Sequence, residues 1–300
     1  MNYHIYGKGF GLYGYLAAII KIKLNKIFIQ KDYYSFIKSR KDLKKYINKI
    51  TFVNKHDLKN NDVVIYAKRP SDQYKFIKKN ASRKLYFFLE KPLAENYKKS
   101  KELISFLNKK KINFSIGYLF LYSSWYSKVN KLLLNKDIKE LSINWYFNSV
   151  NKLSSWKNKN IQGGGLINFY GIQILALMTS LEFNFCISSK IYRKNKRDFM
   201  WCSEFKNKKN KKFIIKLIIN SKHTNFDILY LLKKNKKDLT KILYKNKFPF
   251  KKKYKNDDYR VDAIRKYINN SIRLKNRKLI YFKILSLWNK VNKKTKLIKL

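Results

Sequence analysis

A chain of 300 residues with 45% apolar and 16% aromatic residues can build two modest domains with real cores, which excludes a disordered tail or a small disulfide scaffold. Its 70 basic residues outweigh 18 acidic ones, for a net charge of +52. That balance needs either a polyanionic partner or a compositional cause. The lysines run from Lys8 to Lys299 at solvent-facing intervals, beside abundant Asn, Ile, Phe and Tyr. Such a spread fits a bias of the whole sequence toward residues with AT-rich codons, so no dedicated nucleic-acid face is expected.

Two cysteines, Cys186 and Cys202, form no CxxC pair, and the three histidines, His4, His56 and His223, stand far apart, so no metal site is expected. The opening Met-Asn-Tyr-His-Ile-Tyr has no basic region leading into an apolar core and does not read as a signal peptide; the expected place is the cytoplasm. From Asn160 to Leu181 no residue is charged, a length able to span a bilayer. Its opening glycines and its Asn168, Tyr170 and Gln173 favour a buried helix of a soluble domain over a membrane span.

In chain order, residues 2–6 read as a strand, 11–22 as a helix, 26–30 as a strand and 34–47 as a helix. The continuous apolar runs at 62–67 and 84–90 read as strands buried on both faces. Helices follow each, at 73–81 and 94–110, and a strand at 114–122. This alternation predicts a parallel sheet with helices on its faces. The second half reads as a strand at 141–148, the uncharged helix at 166–181, strands near 185–193, 199–206, 212–220 and 226–232, and helices at 257–274 and 278–293. Short connections there predict a mainly antiparallel sheet. The expected fold is α/β, with a Rossmann-type domain over 1–118 and an α/β domain with an open sheet over 119–300 that includes both C-terminal helices.

Three motifs carry chemistry. Gly7-Lys8-Gly9-Phe10-Gly11-Leu12-Tyr13-Gly14 follows the first strand and holds four of the nine glycines. Gly9, Gly11 and Gly14 form a GxGxxG, and Gly7-x-Gly9 ends the strand. Glycines there allow a tight turn and close approach of a pyrophosphate to a helix N-terminus; the alternative is a glycine-rich turn without a ligand. Asp32, after the second strand, fits the ribose-binding position, while Lys31 beside it fits a 2′-phosphate, so NAD and NADP both stay open. Glu90-Lys91-Pro92-Leu93-Ala94 ends a buried strand, where desolvation can make Lys91 an acid/base group, or where Lys91 simply leaves the sheet for solvent. Gly163-Gly164-Gly165 opens the uncharged helix, whose Asn168, Tyr170 and Gln173 either line a pocket or pack in a core. Trp156 and Lys157 before it either cover a sugar face or its phosphate, or form a plain loop.

In this order the motifs resemble the glucose–fructose oxidoreductase/inositol dehydrogenase (Gfo/Idh/MocA) family. Val63–Pro70, with Lys68, Arg69 and Pro70, resembles the strand and loop passing the nicotinamide ribose, and Gly117-Tyr118 through Tyr122 resembles the next strand, with Leu121 where an Arg is common. The resemblance implies hydride exchange between NAD(P) and a sugar, sugar nucleotide or related carbinol, with Glu90 and Lys91 at the cofactor, Lys91 also at the substrate, and Tyr118 in the site. The family's substrate-side motif reads Gly-Gly-Gly-x-x-x-Asp-x-Gly-x-His; here Phe169 stands for the Asp and Gln173 for the His. Gln173 cannot titrate and is expected to orient a substrate hydroxyl while Lys91 carries the proton. Three readings follow: an NAD(P)-dependent sugar oxidoreductase, suited to surface polysaccharide synthesis; a dinucleotide- or sugar-nucleotide-binding protein without redox chemistry; and a basic polyanion binder. The open second sheet invites a homo-oligomer.

Overall fold

The computed structural model describes residues 2–22, 26–81, 84–147, 155–207, 213–221, 224–234, 237–252, 257–273 and 278–300. His223, Asn148, Lys212 and Leu274, each named in an expectation above, lie outside the described residues. The chain divides into two units: Met1–Leu119 with Lys252–Lys278, and Phe120–Lys251 with Leu279–Leu300.

In the first unit, β1 (Tyr3–Tyr6) leads through a glycine turn into a helical stretch, Gly11–Leu16 then α1 (Ala17–Ile19). There follow β2 (Ile27–Gln30), α2 (Tyr34–Ser39), α3 (Lys41–Lys44), β3 (Thr51–Val53), β4 (Val63–Tyr66), α4 (Pro70–Asn80), β5 (Tyr86–Leu89), α5 (Tyr97–Lys109) and β6 (Asn113–Ile116). Among the described residues the strands form one six-stranded sheet, β3-β2-β1-β4-β5-β6, with every pairing parallel. That is the doubly wound order whose direction reverses between β1 and β4. All four residues of β4 are buried, as an apolar run covered by helices on both faces requires. Pro70 sits at the start of α4, where its missing N–H costs nothing, and the Asn96 side chain caps α5 by accepting from the Lys99 N–H at 3.0 Å.

The second unit contains α6 (Tyr126–Leu132), β7 (Ile138–Tyr146), α7 (Ile172–Ser180), β8 (Phe185–Lys194), β9 (Arg197–Lys206), β10 (Ile214–Asn220), β11 (Asn225–Lys234) and β12 (Lys237–Asn246). After α8 (Val261–Arg273) of the first unit come α9 (Lys278–Lys294) and β13 (Lys296–Lys299). Among the described residues the strands form a seven-stranded sheet, β12-β11-β7-β10-β9-β8-β13. Only β7–β10 and β8–β13 pair in parallel, so the sheet is mainly antiparallel.

Several expectations change. The helix expected over 34–47 breaks at Arg40, whose backbone is extended (φ −102, ψ 118). The strand expected over 114–122 ends at Ile116, and Leu119–Tyr122 is a tight helical turn. The two C-terminal helices part company: α8 belongs to the first unit, not to the 119–300 domain. The reason is packing. Its buried Val261, Ile264, Tyr267 and Ile268 form one side, Tyr267 meets Phe88 edge-on at 5.4 Å, and the Tyr86 hydroxyl donates to the Ser271 carbonyl at 3.0 Å. Asn160–Ser180 is long and apolar enough to cross a membrane, yet 72% of it is buried inside the protein. It is also interrupted, since Gly163 takes a left-handed conformation (φ 82) before the helix starts.

Candidate functional site

The glycine turn sits at the C-terminal end of β1, at the reversal point of the parallel sheet. Gly7 has φ +122, and a Cβ there would run into the Ala67 carbonyl at the end of β4, so the two strand ends approach as only glycine permits. Gly9 is the opposite case: no atom lies within 4 Å of where its Cβ would stand. Its exposed backbone is free to meet a ligand. The Leu12 and Tyr13 N–H groups already turn back on the Gly9 carbonyl, at 3.0 and 3.3 Å. Gly11–Leu16 is wound as a π-helical turn, a geometry that recurs at functional sites. Gly14 serves packing, because the Phe10 ring lies where its Cβ would be.

Cations and rings alternate along this turn. Lys8 Nζ lies 5.3 Å from the Phe36 ring centre and the Arg40 guanidinium 5.6 Å from the same ring. Arg40 also lies 5.5 Å from Tyr13, and Arg260 lies 5.5 Å from Tyr13 and 4.2 Å from Phe10. Asp258 orients Arg260 through two bonds of 2.8 and 3.0 Å; burial works to lower the guanidinium pKa, but these bonds and the Asp258 charge outweigh it and push it up. The result is a positive rim beside a helix start, suited to an anionic ligand.

The second component is the turn after β5. Glu90 accepts a 2.6 Å hydrogen bond from the Tyr15 hydroxyl. Burial raises the Glu90 pKa, opposed by that bond and by the nearby charges of Lys91 and Arg260. Gly117 is small for a reason, since a Cβ there would crowd both Tyr15 Oη (2.9 Å) and Glu90 Oε1 (3.0 Å). The turn itself is gripped by Gln73 of α4, which is 1% exposed. Its amide donates to the Glu90 and Leu93 carbonyls, both at 2.9 Å, and accepts from the Glu90 N–H at 2.9 Å. Lys91 therefore hangs from a backbone pinned on both sides.

In the second unit, Gly164 and Gly165 pack against residues 156–160. A Cβ on Gly164 would strike the Trp156 and Lys157 backbone, and one on Gly165 the Asn160 side chain. Tyr170 stacks on Phe147 at 4.0 Å with 16° between planes, and Trp156 meets Phe169 edge-on at 5.3 Å. Lys157 Nζ lies 5.7 Å over that same Phe169 ring.

Over its whole length the chain resembles solved two-domain structures. The chain matches a 3-ketoreductase from Actinomadura kijaniata crystallised with NADP and TDP-benzene, at 10% identity and a TM-score of 0.72, covering 100% of this chain and 99% of that one. It also matches a dehydrogenase from Clostridium difficile, at 13% identity and a TM-score of 0.67, covering 98% and 99%. At these identities the likeness shows the two-domain fold. No protein-family model and no curated protein matches the sequence.

The structure gathers Gly7, Gly9, Gly11, Glu90, Lys91 and the exposed Lys68-Arg69 with buried Pro70 at the C-terminal ends of β1, β4 and β5. Asp32 is exposed directly after β2, the strand next to β1. Other expected site residues have different work. The Phe10 ring covers Gly14 and supports Arg260. Tyr118 is 2% exposed, a core side chain of the first unit and not one offered to a substrate. The Asn168 side-chain oxygen accepts from the Trp288 indole at 2.9 Å, because α9 needs a partner for its buried N–H. Gln173 is 5% exposed and its side-chain oxygen faces the Phe120 N–H at 3.4 Å. The sequence reading missed Gln73, Tyr15 and Arg260. A glutamine inside a short polar helix and an arginine 170 residues from Glu90 leave no local signal.

Proposed function

We propose that this protein is an NAD(P)-dependent oxidoreductase of the Gfo/Idh/MocA type, acting on a sugar, sugar nucleotide or related carbinol in the cytoplasm, in the making of surface polysaccharide. The observation that carries the reading is the juxtaposition of the Gly7–Gly11 turn and the Glu90–Lys91 turn at the reversal point of a 3-2-1-4-5-6 parallel sheet. Support comes from the NADP named with the Actinomadura 3-ketoreductase that shares this fold.

The residues fit a dinucleotide. The strained Gly7 and the open side of Gly9 make room for a pyrophosphate, and the helix start with its rim of Lys8, Arg40 and Arg260 attracts its charge. A dinucleotide held there would supply hydride-transfer chemistry. Lys91 gives a proton to the carbonyl oxygen as it is reduced, and takes one from the hydroxyl in the reverse direction. Glu90, tied to Tyr15 and beside Lys91, keeps a carboxyl near that amine. Gln73 fixes where the turn presents it.

Gln173 favours a second reading, a dinucleotide-binding protein without turnover, because a non-titrating and nearly buried amide stands where a proton carrier is expected. Thermal shift with NAD and NADP decides the first half: a ligand that binds only the folded state raises the melting point. A turnover screen on sugars and nucleotide-linked sugars decides the second. Failure of both cofactors to shift the melting point overturns both readings; binding without turnover leaves the second. The second unit's sheet, with Ile242 60% exposed on edge strand β12, supports a homo-oligomer through that sheet, which light scattering of the purified protein tests.

A further inference from the structure

The second unit holds a cavity of about 200 Å³ whose lining includes Gly165 and Tyr170 of the glycine-led helix motif. One wall is aromatic: Phe147 after β7 and Tyr170, stacked at 4.0 Å. The β8–β9 turn adds Arg193, Lys196 and Arg197 to the lining. Asn158, Asn160 and Ser221 add neutral hydrogen-bonding groups. The lone carboxylate in the lining, Asp198, is bonded to Arg193 at 2.6 Å, so the cavity keeps a surplus of positive charge.

In a chain of net charge +52, lysines beside a cavity carry little information. Arginines carry more. Only nine of the 70 basic residues are arginine, so the sequence's bias runs against them, and two of the nine line this one cavity. A guanidinium binds phosphate through two parallel hydrogen bonds, which an ammonium cannot do. Asp198 holds Arg193 by its Nε, fixing one fork in place. The aromatic rings of the same cavity offer stacking to a flat or ring-shaped group.

We infer that this cavity binds the phosphate-bearing part of the substrate: a sugar carrying a phosphate or diphosphate, with the anion on Arg193 and Arg197 and the attached ring on Tyr170 and Phe147. The inference rests on the oxidoreductase reading above and narrows its substrate to an anionic sugar.

Calorimetry tests it with TDP, glucose 6-phosphate and inorganic phosphate as probes, at about 0.3 M salt to screen diffuse attraction, with NADP titrated in parallel. The full-length protein is compared with Arg197→Gln, with Arg193→Gln/Arg197→Gln, and with Tyr170→Leu. The expected result is that TDP or glucose 6-phosphate binds, that Arg197→Gln weakens it about 10-fold or more, and that NADP affinity is unchanged. Tyr170→Leu should weaken TDP while sparing inorganic phosphate. Tighter TDP identifies a nucleotide-linked sugar; tighter glucose 6-phosphate identifies a simple sugar phosphate. If NADP binds but neither anionic probe does, the cavity assignment is wrong and the oxidoreductase reading stands. Probe binding that survives the double variant is diffuse charge attraction and also overturns it. If neither NAD nor NADP binds, the oxidoreductase reading falls and takes the substrate assignment with it.

Discussion

The backbone that carries Lys91 is fixed by Gln73. A single buried amide satisfies three polar groups of the turn, two carbonyls and one N–H. Replacing it by an apolar residue of similar size leaves all three unpaired, at about 1–3 kcal/mol for each buried group left unsatisfied. Gln73→Leu should therefore lower stability by about 3 kcal/mol or more, read by urea unfolding, and should reduce kcat more than it raises the KM for cofactor. An unchanged kcat would mean that the turn holds Lys91 without Gln73. Lys91→Met makes the complementary case. The side chain is replaced by one of similar length without a charge, so the melting point and NADP affinity should stay near those of the parent while redox turnover disappears. Wild-type turnover in that variant would move the proton carrier elsewhere. Gly7 is constrained differently, by φ +122 and by the Ala67 carbonyl. Gly7→Ala should cost about 2–3 kcal/mol or more through strain, and abolish NADP-dependent stabilisation with it.

At the scale of elements, the parallel sheet is tied at its other end by a buried chain of polar groups. His4 on β1 bonds Asp62, just before β4, through Nε2 at 3.1 Å, and its Nδ1 lies 3.1 Å from His56 Nδ1. With His4 donating to Asp62, His56 donates to His4, and His56 Nε2 is left buried without a partner. Burial first, then the charges of His4 and Lys68, press the His56 pKa down to about 4, and burial lowers His4 as well despite Asp62. The unfolded chain titrates these histidines near 6.5, so below that pH it binds more protons than the folded one. Stability should thus be full above about pH 6.5 and fall as pH drops toward 4, and His56→Phe should flatten that part of the curve. A pH-independent melting point from 7 to 5 would contradict it. The sequence made the main elements legible because a strand covered on both faces must be apolar throughout, as Val63–Tyr66 and Tyr86–Leu89 are. It hid β3 and β13, of three and four residues, and β12, whose three lysines disguise the alternation. It hid the allegiance of α8 too, since an amphipathic helix shows that it packs but not on what. Of the candidate site, the glycine turn was readable because the close approach of Gly7 to Ala67 demands glycine locally, and Glu90-Lys91 because it ends a buried strand and resembles a family motif; the Gln73 grip and the Arg260 rim were not, because they exist only once distant segments meet.

The whole molecule must fold against its own charge. Among the described residues at least eight of the 18 acidic residues pair with a lysine or arginine: Asp257 meets Lys21 and Lys45, Asp258 holds Arg260, Asp198 holds Arg193, Asp42 holds Arg40, and Glu140, Glu102, Glu95 and Asp262 each face a lysine. These pairs leave a surplus of about fifty positive charges, spread over a surface where each repels its neighbours. Exposed pairs contribute at most about 1 kcal/mol each and are weakened by salt, whereas the summed repulsion of the surplus is relieved by it. The two effects have opposite signs, and with cations outnumbering anions 70 to 18 the repulsion should win. Raising sodium chloride from about 0.05 to 0.5 M shortens the screening length from roughly 14 to 4 Å, and the melting point should rise with it. A falling melting point would show that the ion pairs, not the surplus, govern stability. The same titration separates a compositional charge from a functional one. A surface built for nucleic acid keeps measurable affinity for a preferred sequence or shape as salt rises, while a diffuse surplus binds any polyanion and releases it steeply on the log-salt scale. Here the lysines are dispersed over both units, so DNA of unrelated sequences should bind alike at low salt and let go together above about 0.2 M. Sequence-selective binding that persists there would return the polyanion reading to first place.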